Sequence, residues 1–103
     1  MDEWVETLKE RTTQFLESNY EVEVIEYIAF GSVASGEFVP DESDLDVIVV
    51  VDILGNESPL FMSESAKTHV KADDTPAVGV DVVVTPEDEV AKAKAMFEHT
   101  RSI

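Results

Sequence analysis

Three aspartates are the residues best placed to do chemistry in this chain. Asp44 and Asp46 flank Leu45 at the head of an aliphatic run, and Asp81 interrupts a second run, Val78 to Thr85. Alternate side chains of an extended strand share a face, so Asp44 and Asp46 project together while Leu45 points away. Two carboxylates on one strand face make a poor core and a good divalent-cation site. Mg²⁺ takes oxygen ligands and commonly binds through one or two carboxylates plus substrate phosphates. If the strand carrying Asp81 lies beside the one headed by Asp44 and Asp46, Asp81 completes a cluster of three. Without a cation such groups repel, and one or more protonates.

The turn ahead of these acids suggests what the cation would carry. Gly31-Ser32-Val33-Ala34-Ser35-Gly36 follows directly on a β-branched segment. Glycine lets the backbone turn sharply and approach a ligand closely. The Ser32 hydroxyl and the amides after Gly31 could donate to terminal phosphates, and Gly36 would let the chain leave the turn. Phosphates beside a cation suggest nucleotide chemistry. Two ions about 3.5–4 Å apart would stabilise both the attacking and the leaving oxygen of an in-line displacement at phosphorus. Asp44 and Asp46 would hold the ions and the nucleotide phosphates. Asp81 would hold the acceptor-side ion and take the proton of the acceptor hydroxyl. Each feature alone has a plainer reading: an ordinary turn, a solvated strand end, an edge-strand charge that discourages aggregation. Their order and spacing, with every acid placed at a strand, is what separates them from chance.

The surrounding pattern supplies elements to position these groups. Val5, Leu8, Thr12, Phe15 and Leu16 recur at helical spacing, predicting a helix over 2–18 that stops at Ser18-Asn19. Trp4 reads as its anchor. Residues 22–30 predict a first strand, and Leu45–Val51 a second whose unbroken aliphatic character suits burial on both faces. A short helix or turn is expected over 33–36 and a loop over 37–43. Leu60 to Val70 predicts a short helix with Phe61, Met62 and Ala66 inward, after a turn at Gly55–Pro59, and 71–76 a polar loop. The third strand is expected over 78–85. Thr85-Pro86-Glu87-Asp88 predicts a capped helix running to about Phe97, with Val90, Ala93 and Phe97 inward. His69 and His99 read as isolated surface residues. Lys67 and Lys71 lie where they could reach a phosphate.

At 103 residues with 44% apolar content, a single domain spanning 1–103 is expected. No apolar run approaches the roughly 20 residues that cross a bilayer, and no signal-peptide pattern opens the chain, so neither a membrane nor export is expected and a cytoplasmic location is the default. With no cysteine there is neither disulfide nor thiolate metal site. Charge is the outlier: 23 acids against 7 Lys plus Arg, a net of −16. A grip on nucleic acid needs a basic stripe, so direct nucleic-acid binding is not expected. The acids are spread along the chain, which favours a protein adapted to a hypersaline cytoplasm, where self-repulsion is screened, over an acidic module that docks on a basic partner.

Gly31-Ser32, then Asp44 with Asp46 after a spacer of about ten residues, then Asp81 on a later strand, resembles the nucleotidyltransferase superfamily that includes DNA polymerase beta. The chain looks in particular like its small stand-alone members, the minimal nucleotidyltransferases. The resemblance covers roughly residues 25–85. It implies an α+β nucleotidyltransferase fold, a small mixed sheet with helices packed on one face. It also implies Mg²⁺, with two ions, and ATP or another nucleoside triphosphate, from which a nucleoside monophosphate is transferred and pyrophosphate released. The site residues it implies are Asp44, Asp46 and Asp81 as catalytic and metal-binding, with Gly31 and Ser32 binding the nucleotide. Small members commonly pair with helical HEPN-type toxins as antitoxins that modify or mask them, so the acceptor is expected on a partner or a second copy. Two departures stand out: Ser35 where many members carry arginine, and a spacer one residue longer than the commonest form. The missing arginine favours the rival reading, a non-catalytic module that caps a partner. An antibiotic-modifying transferase fits less well, because those enzymes usually carry an extra acceptor domain.

Overall fold

The most aliphatic segment of the chain becomes a central strand. In a computed structural model, which describes residues 3–70 and 75–103, β2 (Leu45–Ile53) lies between β1 (Val22–Phe30) and β3 (Val80–Pro86). A short β4 (Thr100–Ser102) extends the other side, giving the order β3-β2-β1-β4. β1 runs antiparallel to both β2 and β4, whereas β2 and β3 are parallel, so the sheet is mixed. A parallel pair needs a crossover, and α3 (Pro59–His69) provides it. Except for Asp46, every residue from Leu45 to Val51 is buried, as its uniform composition requires.

Strand alternation divides the core in two. Val47, Val49 and Val51 join Val82, Val84 and Tyr27 on one face, packed with Leu16 of α1 (Glu3–Asn19) and Met62 and Ala66 of α3. Ile48 and Val50 point the other way, with Ile28 and Phe30, and meet Val83, Val90, Ala93 and Phe97. The two long helices therefore share one face, as expected. The opposite face is also covered in part, by α4 (Val90–Ala95) and by Phe97, whose ring stacks on Phe30 at 4.0 Å. Trp4 anchors α1 by stacking on Phe38 at 5.9 Å.

Several boundaries differ from expectation for identifiable reasons. Ser58 caps α3, accepting from the Phe61 amide at 3.3 Å, with Pro59 at the first helical position. Met62 and Ala66, four residues apart, face the core, which turns Phe61 outward at 66% exposure. The expected cap at Thr85 is absent. Thr85 is buried in β3 opposite Val50, Pro86 ends the strand, and Glu87–Glu89 forms a 3-10 turn without a side-chain cap. The following helix is accordingly short and stops at Ala95. β4 was not anticipated, since Thr-Arg-Ser carries no alternating apolar pattern. The polar loop expected over 71–76 falls partly outside the described residues, as does Lys71. No helix among the described residues is long and apolar enough to cross a membrane.

Candidate active site

Where β1 ends, Gly31 adopts φ 71 and ψ −142, a conformation open in practice only to glycine. It is also a point of close approach: a Cβ here would lie 2.5 Å from Asp46 Oδ2. One helical turn follows, α2 (Ser32–Ser35), opened by the Ser35 amide donating to the Gly31 carbonyl at 3.0 Å. Gly36 closes it in the left-handed conformation, φ 84, its amide donating to the Ser32 carbonyl. The first amides of such a turn have no partner within it. The Ser32 hydroxyl donates to the Asp44 carbonyl at 3.3 Å and so ties the turn to the chain entering β2.

The three aspartates come from adjacent strands and share a face. Asp46 and Asp81 are direct partners in the parallel β2–β3 ladder, and Phe30 opposes Asp46 on the β1 side. Asp44 stands one residue before β2. The Leu45 amide bonds to the Gly79 carbonyl at 2.9 Å, and the Val78 amide to the Ser43 carbonyl at 3.1 Å, so the pairing extends past Asp44. A Cβ on Gly79 would lie 3.0 Å from Asp44 Oδ1. Two carboxylates thus rest over two glycines, Asp46 over Gly31 and Asp44 over Gly79. Burial, reinforced by the charges of Asp81 and Asp44, pushes the Asp46 carboxyl above its ordinary value.

Asp81 lies on an edge strand with its side chain 54% exposed, and the Lys67 ammonium stands 3.8 Å from its Oδ1. An edge charge also discourages strand addition, so its plainer role is compatible with this position. Lys67, whose sequence position could bring it to a phosphate, stands against the Asp81 carboxylate. As placed, no three acidic or imidazole groups among the described residues stand close enough to ligate one ion together, so an ion here would be held by one or two carboxylates with phosphate oxygens, or by carboxylates drawn closer. The donor set itself is all oxygen, which suits Mg²⁺. His69 stacks on Phe15 at 4.3 Å, and His99 is exposed.

Gly79 and the Lys67–Asp81 pair were missed from sequence. Gly79 had a signal: a glycine within a run of valines marks a bulge or a close approach. The ion pair had none, because it depends on how α3 lies along β3.

The chain matches the family model described as the nucleotidyltransferase domain over residues 9–103. Among solved structures it is similar to a candidate nucleotidyltransferase from Sulfolobus solfataricus. The TM-score is 0.59 at 21% identity, over 96% of this chain and 75% of that one, a likeness of fold. No curated protein sequence matches.

Proposed function

The chain belongs to the nucleotidyltransferase domain family, and on that premise we propose that it transfers a nucleoside monophosphate, AMP from ATP, to an acceptor hydroxyl in a Mg²⁺-dependent reaction. The observation that supports this reading most is the in-register pairing of Asp46 with Asp81, one alternate position from Asp44 and beside the glycine turn. Asp44 and Asp46 are assigned to the ions and the phosphates. Asp81, half exposed at the sheet edge, is assigned to the acceptor side, where its carboxylate takes the proton of the attacking hydroxyl. The hydroxyl oxygen then bonds to the α-phosphorus, the bond from that phosphorus to the bridging oxygen breaks, and pyrophosphate departs. Mg²⁺, when bound, stabilises the charge on the attacking and leaving oxygens. Gly31, the first amides of α2 and the Ser32 hydroxyl are assigned to the phosphates. Binding there would exchange the Ser32 bond to the Asp44 carbonyl for one to the ligand.

Every described element packs on one sheet, and none forms a separate acceptor-recognition unit among the described residues. By resemblance to the small members of the family, we assign the acceptor to a helical HEPN-type partner carrying a protein hydroxyl, in a salt-adapted cytoplasm. A second reading has its own support: the turn carries no basic side chain, and Ser35 directs its hydroxyl back to the Ser32 carbonyl at 3.3 Å. On that reading the domain masks its partner without chemistry. Incubation with α-labelled ATP and the partner separates the two. Mg²⁺-dependent labelling of the partner, lost in Asp44→Ala, supports transfer. An Asp44→Ala protein that neutralises the partner as well as wild type, with no label incorporated by either, supports masking alone.

A further inference from the structure

Lys67 reaches the site because α3 is pinned along the outer edge of β3. The Ser63 hydroxyl oxygen accepts the outward Val84 amide at 2.8 Å and donates to the Pro59 carbonyl at 2.8 Å. One helical turn further on, at i+4, Lys67 lies on the same helix face. The helix runs back along the strand, so the ammonium arrives at Asp81, three residues before Val84. Four helical residues advance about 6 Å and three strand residues about 10 Å, and the flexible lysine stem spans the difference. At 3.8 Å the contact is an ion pair outside hydrogen-bond distance, with both side chains 54% exposed. Nothing directional locks it, so another cation can replace the ammonium.

We propose that Lys67 is the resident counter-ion of Asp81, and that a divalent ion entering on the acceptor side must displace it. The proposal rests on the reading of Asp44, Asp46 and Asp81 as the ion-binding set. Lys67 then sets a threshold: it partners Asp81 before the ion arrives, and it weakens the Asp81-dependent ion relative to the one held by Asp44 and Asp46. The turn of 31–36 carries no positive side chain, and among the described residues Lys67 is a basic group that the structure brings to a candidate-site carboxylate.

Mn²⁺ alone, titrated at fixed ionic strength and followed by electron paramagnetic resonance, tests this without turnover. Lys67→Met is expected to tighten the Asp81-dependent Mn²⁺ site roughly two- to five-fold, the range an exposed ion pair supports. Lys67→Arg is expected to leave it unchanged. In an Asp81→Asn background, Lys67→Met is expected to have no effect. Unchanged or weaker binding in Lys67→Met overturns the proposal, as does the same tightening with Asp81→Asn, which would mark a general charge effect. An Asp46→Asn protein that binds Mn²⁺ as wild type does, or a wild type that binds none, overturns instead the underlying reading of the three aspartates.

Discussion

Replacing Gly31 with alanine adds one carbon where the turn meets Asp46. The new Cβ would sit 2.5 Å from Asp46 Oδ2, against a floor of 3.0 Å for real Cβ contacts and 3.4 Å for ordinary ones. The carboxylate must therefore retreat by about 0.5 Å (3.0 − 2.5) to about 0.9 Å (3.4 − 2.5). The backbone at φ 71 and ψ −142 adds about 1–3 kcal/mol for any residue but glycine. The clash is with the tip of one carboxylate, which can swing aside for about 0.5–1.5 kcal/mol of off-rotamer cost, and the stiffer unfolded chain returns about 0.4–1 kcal/mol. The net loss is about 0.5–4 kcal/mol. At roughly 4–8 °C per kcal/mol for a domain near this size, Tm falls by at least about 2 °C. A double-mutant cycle with Asp46→Ala isolates the clash, because removing the carboxylate leaves only the backbone strain. The expected coupling is about 0.5–1.5 kcal/mol by urea denaturation. Gly36→Ala is the companion control, with φ 84 and nothing within 4 Å of its Cβ, and carries a backbone cost alone. Coupling under about 0.5 kcal/mol, or a Gly31→Ala loss no greater than that of Gly36→Ala, would refute the placement of Asp46 against the turn.

Further outcomes follow from the same geometry. Because the folded-state pKa of Asp46 is raised, its ionised form is disfavoured in the fold, and its favourable contribution, present below the unfolded value near 3.9, is lost as pH rises through the folded value. Asp46→Asn is thus more stable than wild type at neutral pH without divalent cations, and the advantage disappears below the ordinary carboxylate range. Urea titrations at two pH values check this, and a less stable Asp46→Asn at pH 7 contradicts it. With a net charge of −16, raising KCl from 0.1 to 1 M shortens the Debye length from about 10 to about 3 Å and should raise Tm. A Tm flat with salt would remove the support for salt adaptation. Phe97→Ala loses the ring stacked on Phe30 and should cost about 2–3 kcal/mol, a partly buried version of the usual core truncation; a loss under about 0.5 kcal/mol would show that the Phe97 ring does not stabilise that face.

What could be read from sequence was local. β1 is bounded as expected, because β-branched residues begin at Val22 and Gly31 ends them. β2 was legible from its aliphatic run, and α3 from the spacing of Met62 and Ala66 after the turn at Gly55–Pro59, although Ser58 and Pro59 belong to its capped start. Asp44 and Asp46 on one face required only strand alternation. The alignment of Asp46 with Asp81 did not follow from sequence, since register is a property of two strands brought together by a crossover. Helices on both faces were missed for the same reason: Val90, Ala93 and Phe97 showed an inward stripe, but not against which face. Thr85 misled because a hydroxyl before Pro-Glu-Asp reads as a cap, whereas sheet pairing claimed it for β3. Phe61 misled because hydrophobicity alone places an aromatic inside.

On the proposed function, Asp44, Asp46 and Asp81 close around divalent ions carrying a nucleotide. Crystals grown with Mn²⁺ and a non-hydrolysable ATP analogue, measured at the manganese absorption edge, test it most directly. Anomalous peaks are expected between Asp46, Asp44 and Asp81, with phosphate density at the amides of α2 and Lys67 withdrawn from Asp81. Nucleotide bound elsewhere, or anomalous density that touches none of the three carboxylates, would contradict it.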